Sequence, residues 1–260
     1  KKANSMKAIL VTGGAGYIGS HVCYVLKQQG YLPVCFDNFS AGRRWAVKFG
    51  PSEEGDLLSS PDIEKAIAKH KPIAIIHLAS FIQVGESVQN PVKYYENNIV
   101  GTINLLKAVH KYKVPYFVFS SSAAVYGTPQ YTPIDENHPK NPINPYGHTK
   151  HMTEIMLQDW DKAYGLKSVS LRYFNAAGAC PKEGLGEAHD PETHLIPLMI
   201  RAAQHQKDIQ IYGDDYNTPD GTCVRDYIHV LDLANAHVKA LDYLMAGGKT
   251  VSLNLGTEIG

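Results

Sequence analysis

The sequence predicts an α/β fold in which helices cover both faces of a doubly wound parallel sheet. Short apolar, β-branched runs alternate along the chain with longer segments of helical period, as in sheets whose strands are joined by helices. Residues 73–76 and 116–119 are apolar without alternation, which is typical of strands buried on both faces. A half-exposed antiparallel sheet would alternate apolar and polar residues instead.

The individual elements follow in chain order. Apolar runs predict strands at residues 8–11, 32–36, 73–77, 116–119, 168–171 and 251–255. Apolar residues at helical spacing predict helices at residues 17–29, 91–112 and 146–164. Two stretches interrupt the alternation, proline-rich residues 127–145 and residues 175–193, which are rich in glycine and acidic side chains. Ligands of doubly wound folds bind beyond the carboxyl ends of the strands, so both stretches are candidate ligand-binding loops.

Charge and composition exclude several kinds of partner. Lys and Arg total 25 and Asp and Glu total 25, so no basic field attracts a nucleic acid or an anionic membrane. No apolar run approaches the roughly 18 residues of a membrane span, and the first five residues lack the apolar stretch of a signal peptide. The four cysteines have neither Cys-x-x-Cys spacing nor the density of a secreted disulfide scaffold, which favours reduced thiols in the cytoplasm. We expect no nucleic-acid partner, no membrane partner and no metal site.

A glycine-rich loop directly follows the first predicted strand. Gly13, Gly16 and Gly19 stand three residues apart and open the next helix. Glycines at such a turn let backbone N–H groups approach a pyrophosphate at the positive end of the helix. Alone, the pattern is equally typical of an ordinary strand-to-helix turn.

The second predicted strand is followed by Asp37, which strengthens the case for a dinucleotide site. Asp37 comes 18 residues after Gly19 (37 − 19), close to the roughly 20-residue offset of an acid that binds the adenosine ribose hydroxyls. A carboxylate there repels a 2′-phosphate and favours NAD over NADP. Arg43 and Arg44 argue the other way, since an arginine near that position can accommodate the phosphate of NADP. We expect NAD, because Asp37 stands at the strand end and the arginines come later.

A second group of residues suggests acid–base chemistry. Tyr146 and Lys150 stand at i and i+4, on one face of a helix. A nearby cation favours the phenolate, so Lys150 and a nicotinamide ring are expected to lower the pKa of Tyr146 toward that of a general base. Ser122, at the end of the preceding strand, is placed to bind the same substrate oxygen. A surface Tyr–Lys pair and a serine-rich strand end are the alternatives, and the order of glycine loop, Asp37, serine and Tyr-x-x-x-Lys argues against both.

Together these segments resemble the UDP-glucose 4-epimerases of the extended short-chain dehydrogenase family. The resemblance rests on residues 12–19, 85–88, 120–127, 146–150, 171–175 and 225–229. It implies an NAD-binding Rossmann domain over residues 6–174, a smaller substrate-binding lobe over residues 175–260, and a cytoplasmic role in galactose metabolism. We expect the lobe to be incomplete at its C-terminal end, because the last predicted strand is followed by only five residues. The helices at residues 91–112 and 146–164 resemble those of the family's dimer interface, which implies a homodimer.

The resemblance also assigns roles to individual residues. It makes Tyr146 the acid/base, lets Lys150 bind the nicotinamide ribose, and lets Ser122 bind the sugar O4. The implied cofactor contacts, besides Tyr146 and Lys150, are Gly13, Gly16, Tyr17, Ile18, Gly19, Asp37, Asn38, Asp56, Leu57, Leu78, Asn97 and Phe174. The implied UDP-sugar contacts, besides Ser122 and Tyr146, are Asn175, His194, Leu195, Gln210, Tyr212 and Arg225.

Two positions depart from the family pattern. Ile82 stands where many members carry lysine, and His194 precedes Leu195 where many carry asparagine. The expected cofactor and uridine contacts at these places are therefore altered. A second interpretation of His194 is that its side chain caps the helix that follows.

The residues after Ser122 distinguish between related reactions. Relatives that dehydrate or decarboxylate a nucleotide sugar carry an acid there, whereas this chain has Ala123 and Ala124. Elimination requires a further acid and base, while epimerisation at C4 needs one proton acceptor and one hydride acceptor. The alanines favour interconversion of UDP-glucose and UDP-galactose. Another NAD-dependent nucleotide-sugar epimerase or dehydratase, or a catalytically silent dinucleotide-binding scaffold, remains the alternative.

Overall fold

A computed structural model describes residues 6–257, whose centre is a seven-stranded parallel sheet. The strands of the protein are β1 (Ala8–Thr12), β2 (Leu32–Asp37), β3 (Ser52–Glu54), β4 (Ala74–His77), β5 (Tyr116–Ser120), β6 (Lys167–Tyr173), β7 (Asn175–Ala177), β8 (Tyr227–His229) and β9 (Val251–Leu255). The sheet has the order β3-β2-β1-β4-β5-β6-β9, and β7 pairs with β8 in a separate parallel pair. The expected parallel α/β architecture is thus confirmed.

Helices flank both faces of this sheet. They are α1 (Tyr17–Gln28), α2 (Ser60–His70), α3 (Val84–Gln89), α4 (Pro91–Tyr95), α5 (Gly101–Lys111), α6 (Pro145–Tyr164), α7 (Leu195–His205) and α8 (Val230–Met245). Leu10 and Ile75 point to one face, where α2, α5 and α6 supply the opposing apolar side chains. Ile9 and Ile76 point to the other face, toward α1 and α8. Burial on both sides explains why these strands are continuously apolar.

The connection order places a crevice at the carboxyl end of the sheet. The chain leaves β1 for β2 on one side and later returns to β4 on the other side of β1. Loops therefore diverge between β1 and β4, which is where doubly wound sheets bind their ligands. Among residues 6–257, no helix is both long and apolar enough to cross a membrane.

The secondary structure differs from the sequence prediction in several details, since helices α2, α3, α7 and α8 and the strand pair β7 and β8 were not predicted. The predicted helix at residues 91–112 is divided, because a π-helical turn at Glu96–Val100 separates α4 from α5. Strand β3 was not expected, since its polar sequence SEE lacks an apolar run. Helix α6 has clear start and stop signals: the Asn144 side chain accepts a hydrogen bond from Gly147 N at 2.8 Å, and Gly165 ends the helix with a positive φ of 74°.

Residues beyond β6 contribute to two regions of the fold. The pair β7 and β8 lies outside the main sheet. Helix α8 packs against α1, and β9 pairs with β6 at the edge of the main sheet. The division of the chain between residues 174 and 175 stays a prediction. The last three residues of the predicted lobe, 258–260, lie outside the described residues.

Candidate active site

A deep cleft runs along the carboxyl ends of the strands. It is lined by the glycine loop, the ends of β2, β4, β5 and β6, the start of α6 and parts of the region that includes β7 and β8. Every site residue expected from the sequence lines this cleft except Gln210 and Tyr212. Tyr212 is 82 % exposed, so the structure does not bring the predicted uracil contacts to the cleft.

The glycine loop is packed too closely for side chains. Gly13 has a φ of 72°, and a Cβ there would lie 2.8 Å from the Ala79 nitrogen. A Cβ on Gly19 would collide with the carbonyl oxygen of Gly13. The N-terminus of α1 therefore approaches the turn closely, and its free N–H groups face the cleft that a pyrophosphate would enter. The Tyr17 hydroxyl donates to the Gly178 carbonyl at 2.6 Å, which ties α1 to the segment after β7.

The Asp37 carboxylate is fixed at the end of β2. Its oxygens accept backbone hydrogen bonds from Ala15 N at 3.0 Å and Phe39 N at 2.8 Å. Burial raises the pKa of Asp37, and the two backbone hydrogen bonds oppose that rise. An oriented acid at this point suits a ribose diol, since a carboxylate can accept from both hydroxyls.

The two arginines that argued for NADP have other partners. The Arg44 guanidinium contacts both carboxylate oxygens of Glu54 at 2.8 Å and lies 4.1 Å above the Phe39 ring. Arg43 donates through Nε and Nη2 to the Ala188 carbonyl at 3.2 and 3.0 Å. Because both side chains are engaged away from Asp37, the cleft fits NAD, as the sequence predicted.

The remaining predicted cofactor residues line the same part of the cleft. Asn38 donates to the Asp56 carboxylate at 2.9 Å, and Leu57 is buried beside them. Leu78 follows β4, close to the glycine loop. Asn97 lies in the π-helical turn and donates to the Asn98 side chain at 2.8 Å. Such turns often occur at functional sites, and this one brings the Asn97 amide to the cleft.

Lys150 is buried in the floor of the cleft. Its Nζ donates to the Ser120 carbonyl at 2.8 Å and to Ser80 Oγ at 3.0 Å, and it lies 5.7 Å from the centre of the Tyr146 ring. Burial lowers the pKa of Lys150 to about 7, although the negative charge of Glu154 acts in the opposite direction. The ammonium is therefore poised to change its charge near neutral pH.

The half-buried Tyr146 side chain lines the cleft together with Ser122. Burial raises the pKa of Tyr146, and Ser122 acts to lower it. The sequence argument expected Lys150 and the nicotinamide ring together to lower this pKa. For the chain's own groups, burial outweighs the effects that lower it, and the combined effect in NAD-bound protein stays a prediction. The positive charge that the argument still requires is that of the nicotinamide ring.

The predicted diphosphate contacts meet at the far end of the cleft. Phe174 and Asn175 follow β6, and Asn175 pairs with Tyr227 across β7 and β8. The Asn175 amide also donates to the Asp226 carbonyl at 3.0 Å, which fixes it beside the exposed Arg225. An amide and a guanidinium held together in this way can bind phosphate oxygens.

His194 belongs to a charged cluster above the cleft. Its Nδ1 lies 2.7 Å from Glu187 and 3.0 Å from Glu192, and His189 also contacts Glu187 at 2.9 Å. These pairs raise the pKa of His194 and lower that of Glu187 to about 2, because each charge stabilises the other. Ligand atoms of the four side chains lie within 4.8 Å of one another, but they already neutralise each other as ion pairs. His194 stands before Leu195 at the start of α7 without a side-chain capping bond, so the capping interpretation is wrong.

Several residues at the site were not found from the sequence. Ser80 Oγ accepts a hydrogen bond from the Lys150 ammonium, and the Tyr173 hydroxyl lies 2.6 Å from Ser120 Oγ. Ser121 donates to Glu154 at 2.6 Å. The position of Ser80 just after β4 is a signal that could have indicated a role, because the strand ends meet at the cleft. The partners of Ser121 and Tyr173 depend on which strands become neighbours.

The fold and the site define a class of protein. A glycine loop, a ribose-binding acid after β2, and Tyr-x-x-x-Lys beside a strand-end serine are the parts of an NAD-binding short-chain dehydrogenase. Residues 9–256 match the NAD dependent epimerase/dehydratase family.

Similar proteins narrow this assignment. The UDP-glucose 4-epimerase of Rhizobium leguminosarum bv. trifolii is 56 % identical over 255 residues, which are 98 % of this chain and 78 % of the relative. The crystal structure of UDP-glucose 4-epimerase from Brucella ovis in complex with NAD is 52 % identical, with a TM-score of 0.94 over 97 % of this chain and 78 % of that chain. The enzyme from Bifidobacterium longum in complex with NAD+ and UDP is 40 % identical, with a TM-score of 0.91 over 97 % and 78 %. The chain belongs to the NAD dependent epimerase/dehydratase family and, within it, to the UDP-glucose 4-epimerases.

Proposed function

We propose that this chain interconverts UDP-glucose and UDP-galactose by transient oxidation at C4 of the sugar. The observation that carries the proposal is the Tyr146 side chain, which lines the cleft together with Ser122 and whose ring centre lies 5.7 Å from the Lys150 ammonium. Bound NAD supplies the hydride acceptor at C4 and then the hydride donor. Net redox is zero, since the hydride that leaves C4 returns to it.

The chain's own residues move and hold the proton. Tyr146 accepts the O4 proton as the carbonyl forms and gives it back when the hydride returns. Ser122 donates or accepts a hydrogen bond at the same oxygen and keeps it close to the phenol. Lys150, anchored on Ser120 and Ser80, contributes positive charge near the phenolate and can reach the nicotinamide ribose.

Inversion requires that the sugar present both of its faces to one side of the cleft. Asn175 and Arg225 are proposed to hold the diphosphate while the hexose turns about it, with Phe174 beside the nicotinamide. His194 is proposed to contact the UDP-sugar from the charged cluster above the cleft, in which Glu187 and Glu192 raise its pKa. A diphosphate anchor of this kind leaves the sugar free to rotate, since the anchoring contacts touch none of its hydroxyls.

The turn after β5 argues against elimination. Ala123 and Ala124 occupy a 3₁₀ turn that directly follows Ser122, where a dehydratase needs an acid. Tyr146, Lys150 and Ser122 together argue against a silent scaffold, because a scaffold has no need of a buried cation beside a phenol.

We also propose that two copies associate through α4, α5 and α6. Exposed apolar side chains lie along these helices and the turn between α4 and α5: Val92, Val100, Met152 and Ile155. Ile155→Lys should then produce monomers in sedimentation, whereas an unchanged mass would exclude this interface. The cysteines Cys23, Cys35, Cys180 and Cys223 are free thiols, which supports the proposed cytoplasmic location.

A coupled assay with UDP-galactose and purified protein tests the activity. Formation of UDP-glucose that depends on Tyr146 supports the proposal. Protein that retains NAD but does not convert UDP-galactose would instead support the scaffold. A product lacking a water molecule would support a dehydratase.

A further inference from the structure

The turn that carries Ser122 is anchored at both of its ends. Ser122 Oγ accepts a hydrogen bond from Ala124 N at 3.1 Å inside the turn. Before the turn, Ser121 Oγ donates to Glu154 Oε1 at 2.6 Å. After it, the Tyr126 hydroxyl accepts from Arg172 Nη1 at 2.8 Å. Ser122 thus lies between two side chains that are bound to Glu154 and Arg172.

Glu154 and Arg172 form one buried ion pair. Nη2 lies 2.6 Å from Oε2 and Nε 2.9 Å from Oε1, and the side chains of Arg172 and Glu154 are 4 % and 1 % exposed. Both carboxylate oxygens are satisfied, and the guanidinium uses its third direction for Tyr126. Such a fork fixes direction as well as distance. The two anchors of the turn therefore share one rigid support.

This support belongs to the same helix as the acid/base residue. Tyr146, Lys150 and Glu154 follow one another at intervals of four residues along α6, so their side chains lie close to one face. A buried ion pair is seldom the most stable choice for a core, since an apolar pair of similar volume often serves as well. Its hydrogen bonds to Ser121 and Tyr126 give it another use.

We propose that Glu154 and Arg172 are positioning residues that hold Ser122 against Tyr146. The pair links the turn after β5 to α6 and β6, so the hydroxyl and the phenol keep one spacing. Neither residue lines the cleft. The inference rests on the proposed function, in which Ser122 and Tyr146 share the O4 atom.

Two substitutions remove one anchor each and leave the ion pair intact. Ser121→Ala deletes the hydroxyl bound to Glu154, and Tyr126→Phe keeps the ring but deletes the hydroxyl that accepts from Arg172 and donates to Asn254 at 2.6 Å. A matched control is Ser168→Ala, because Ser168 is also buried in the sheet but its hydroxyl has no hydrogen-bond partner. Ser122 itself is unchanged in all three.

The expected result is a loss of kcat without a loss of binding. Displacement by a fraction of an ångström should lower kcat about tenfold in each variant and about 10²-fold in the double variant, with KM for UDP-galactose unchanged. Ser168→Ala should keep the wild-type kcat. In hydrogen–deuterium exchange, the Ala124 amide should exchange faster in Ser121→Ala and Tyr126→Phe than in the control.

The outcomes separate this inference from the proposed function. Wild-type protein without epimerase activity overturns the function, and the exchange of the Ala124 amide then still tests the positioning. Wild-type activity together with a double variant that matches Ser168→Ala in kcat overturns the positioning alone. A KM that rises in step with the fall of kcat also overturns it, because that pattern reports a general loosening of the site. If one single variant does not fold, the other is sufficient, since each removes a separate anchor.

Discussion

Replacement of Tyr146 by phenylalanine is the most direct test of the proposed chemistry. The change removes only the phenol oxygen and keeps the ring that packs at the start of α6. Loss of the proton acceptor should lower kcat about 10²–10⁴-fold, the usual contribution of general acid–base assistance. KM for UDP-galactose should stay close to the wild-type value, because Asn175 and Arg225 are proposed to carry the binding.

The distance between Lys150 and Tyr146 gives the size of the effect that the lysine charge has on the pKa of Tyr146. A unit charge 5.7 Å from the ring centre changes the energy of a phenolate by about 3 kcal/mol at an effective dielectric constant of about 20, which corresponds to about two pH units. Burial lowers the pKa of Lys150 to about 7, although the negative charge of Glu154 acts in the opposite direction. A phenolate at Tyr146 in turn favours the charged form of Lys150. In NAD-loaded protein, Lys150→Met should therefore move the Tyr146 titration upward by about two pH units.

Both effects can be measured on the same samples. The coupled assay gives kcat, and the ultraviolet difference between wild type and Tyr146→Phe across pH gives the titration of this one phenol. Tyr95→Phe serves as the control, because Tyr95 lies on the neighbouring α4, contacts His148 only at 3.5 Å and does not line the cleft. A Tyr146→Phe protein with near-normal kcat would show that another group accepts the proton. A midpoint that Lys150→Met leaves in place would refute the electrostatic argument.

Four further tests follow. Two substitutions test the cofactor site, a product analysis tests the reaction, and one substitution tests the buried ion pair. Asp37→Ser should weaken retention of NAD and raise the NADP fraction of nucleotide released on denaturation; protein that already carries mainly NADP would contradict the role of Asp37. Gly19→Ala forces a Cβ against the Gly13 carbonyl and should yield protein without bound NAD, as judged from its absorbance. Mass analysis of the product should show an unchanged mass, and a 4-keto-6-deoxy sugar would contradict the epimerase assignment. Arg172→Leu leaves the Glu154 charge buried and should destabilise the protein by about 3–5 kcal/mol in denaturant unfolding; an unchanged midpoint would mean that water reaches the carboxylate.

The cofactor half of the site could be predicted because its signals are local. Gly13 lies in the turn after β1 and Gly19 in the first turn of α1, and the constraint that selects glycine there acts over a few residues. Asp37 follows from the length of one helix and one strand. The same holds for Tyr146 and Lys150, since the spacing of four residues places both on one helix face whatever surrounds them.

The substrate half depends on contacts that no short segment encodes. Asn175 reaches its position because β7 pairs with β8, about fifty residues further along the chain. Glu154 and Ser121 meet only when α6 packs beside the end of β5. Gln210 and Tyr212, assigned by resemblance alone, lie outside the lining of the cleft. A contact between uracil and these two residues therefore requires this segment to move toward the cleft.

The electrostatics of the cleft link the protonation of Tyr146 to the state of the cofactor. The sequence argument expected Lys150 and the nicotinamide ring together to lower the pKa of Tyr146, and in the chain alone burial holds the pKa of Lys150 near neutrality and raises that of Tyr146. A tyrosine in such surroundings stays a neutral phenol, which cannot accept a proton, until a further positive charge enters the cleft and stabilises the phenolate. The oxidised nicotinamide carries that charge, and the reduced ring does not. With the oxidised ring bound, Tyr146 is held as the phenolate that can take the O4 proton, and once the ring holds a hydride the higher pKa of Tyr146 keeps that proton on the phenol, so the electrostatics of the site favour the two transfers occurring together.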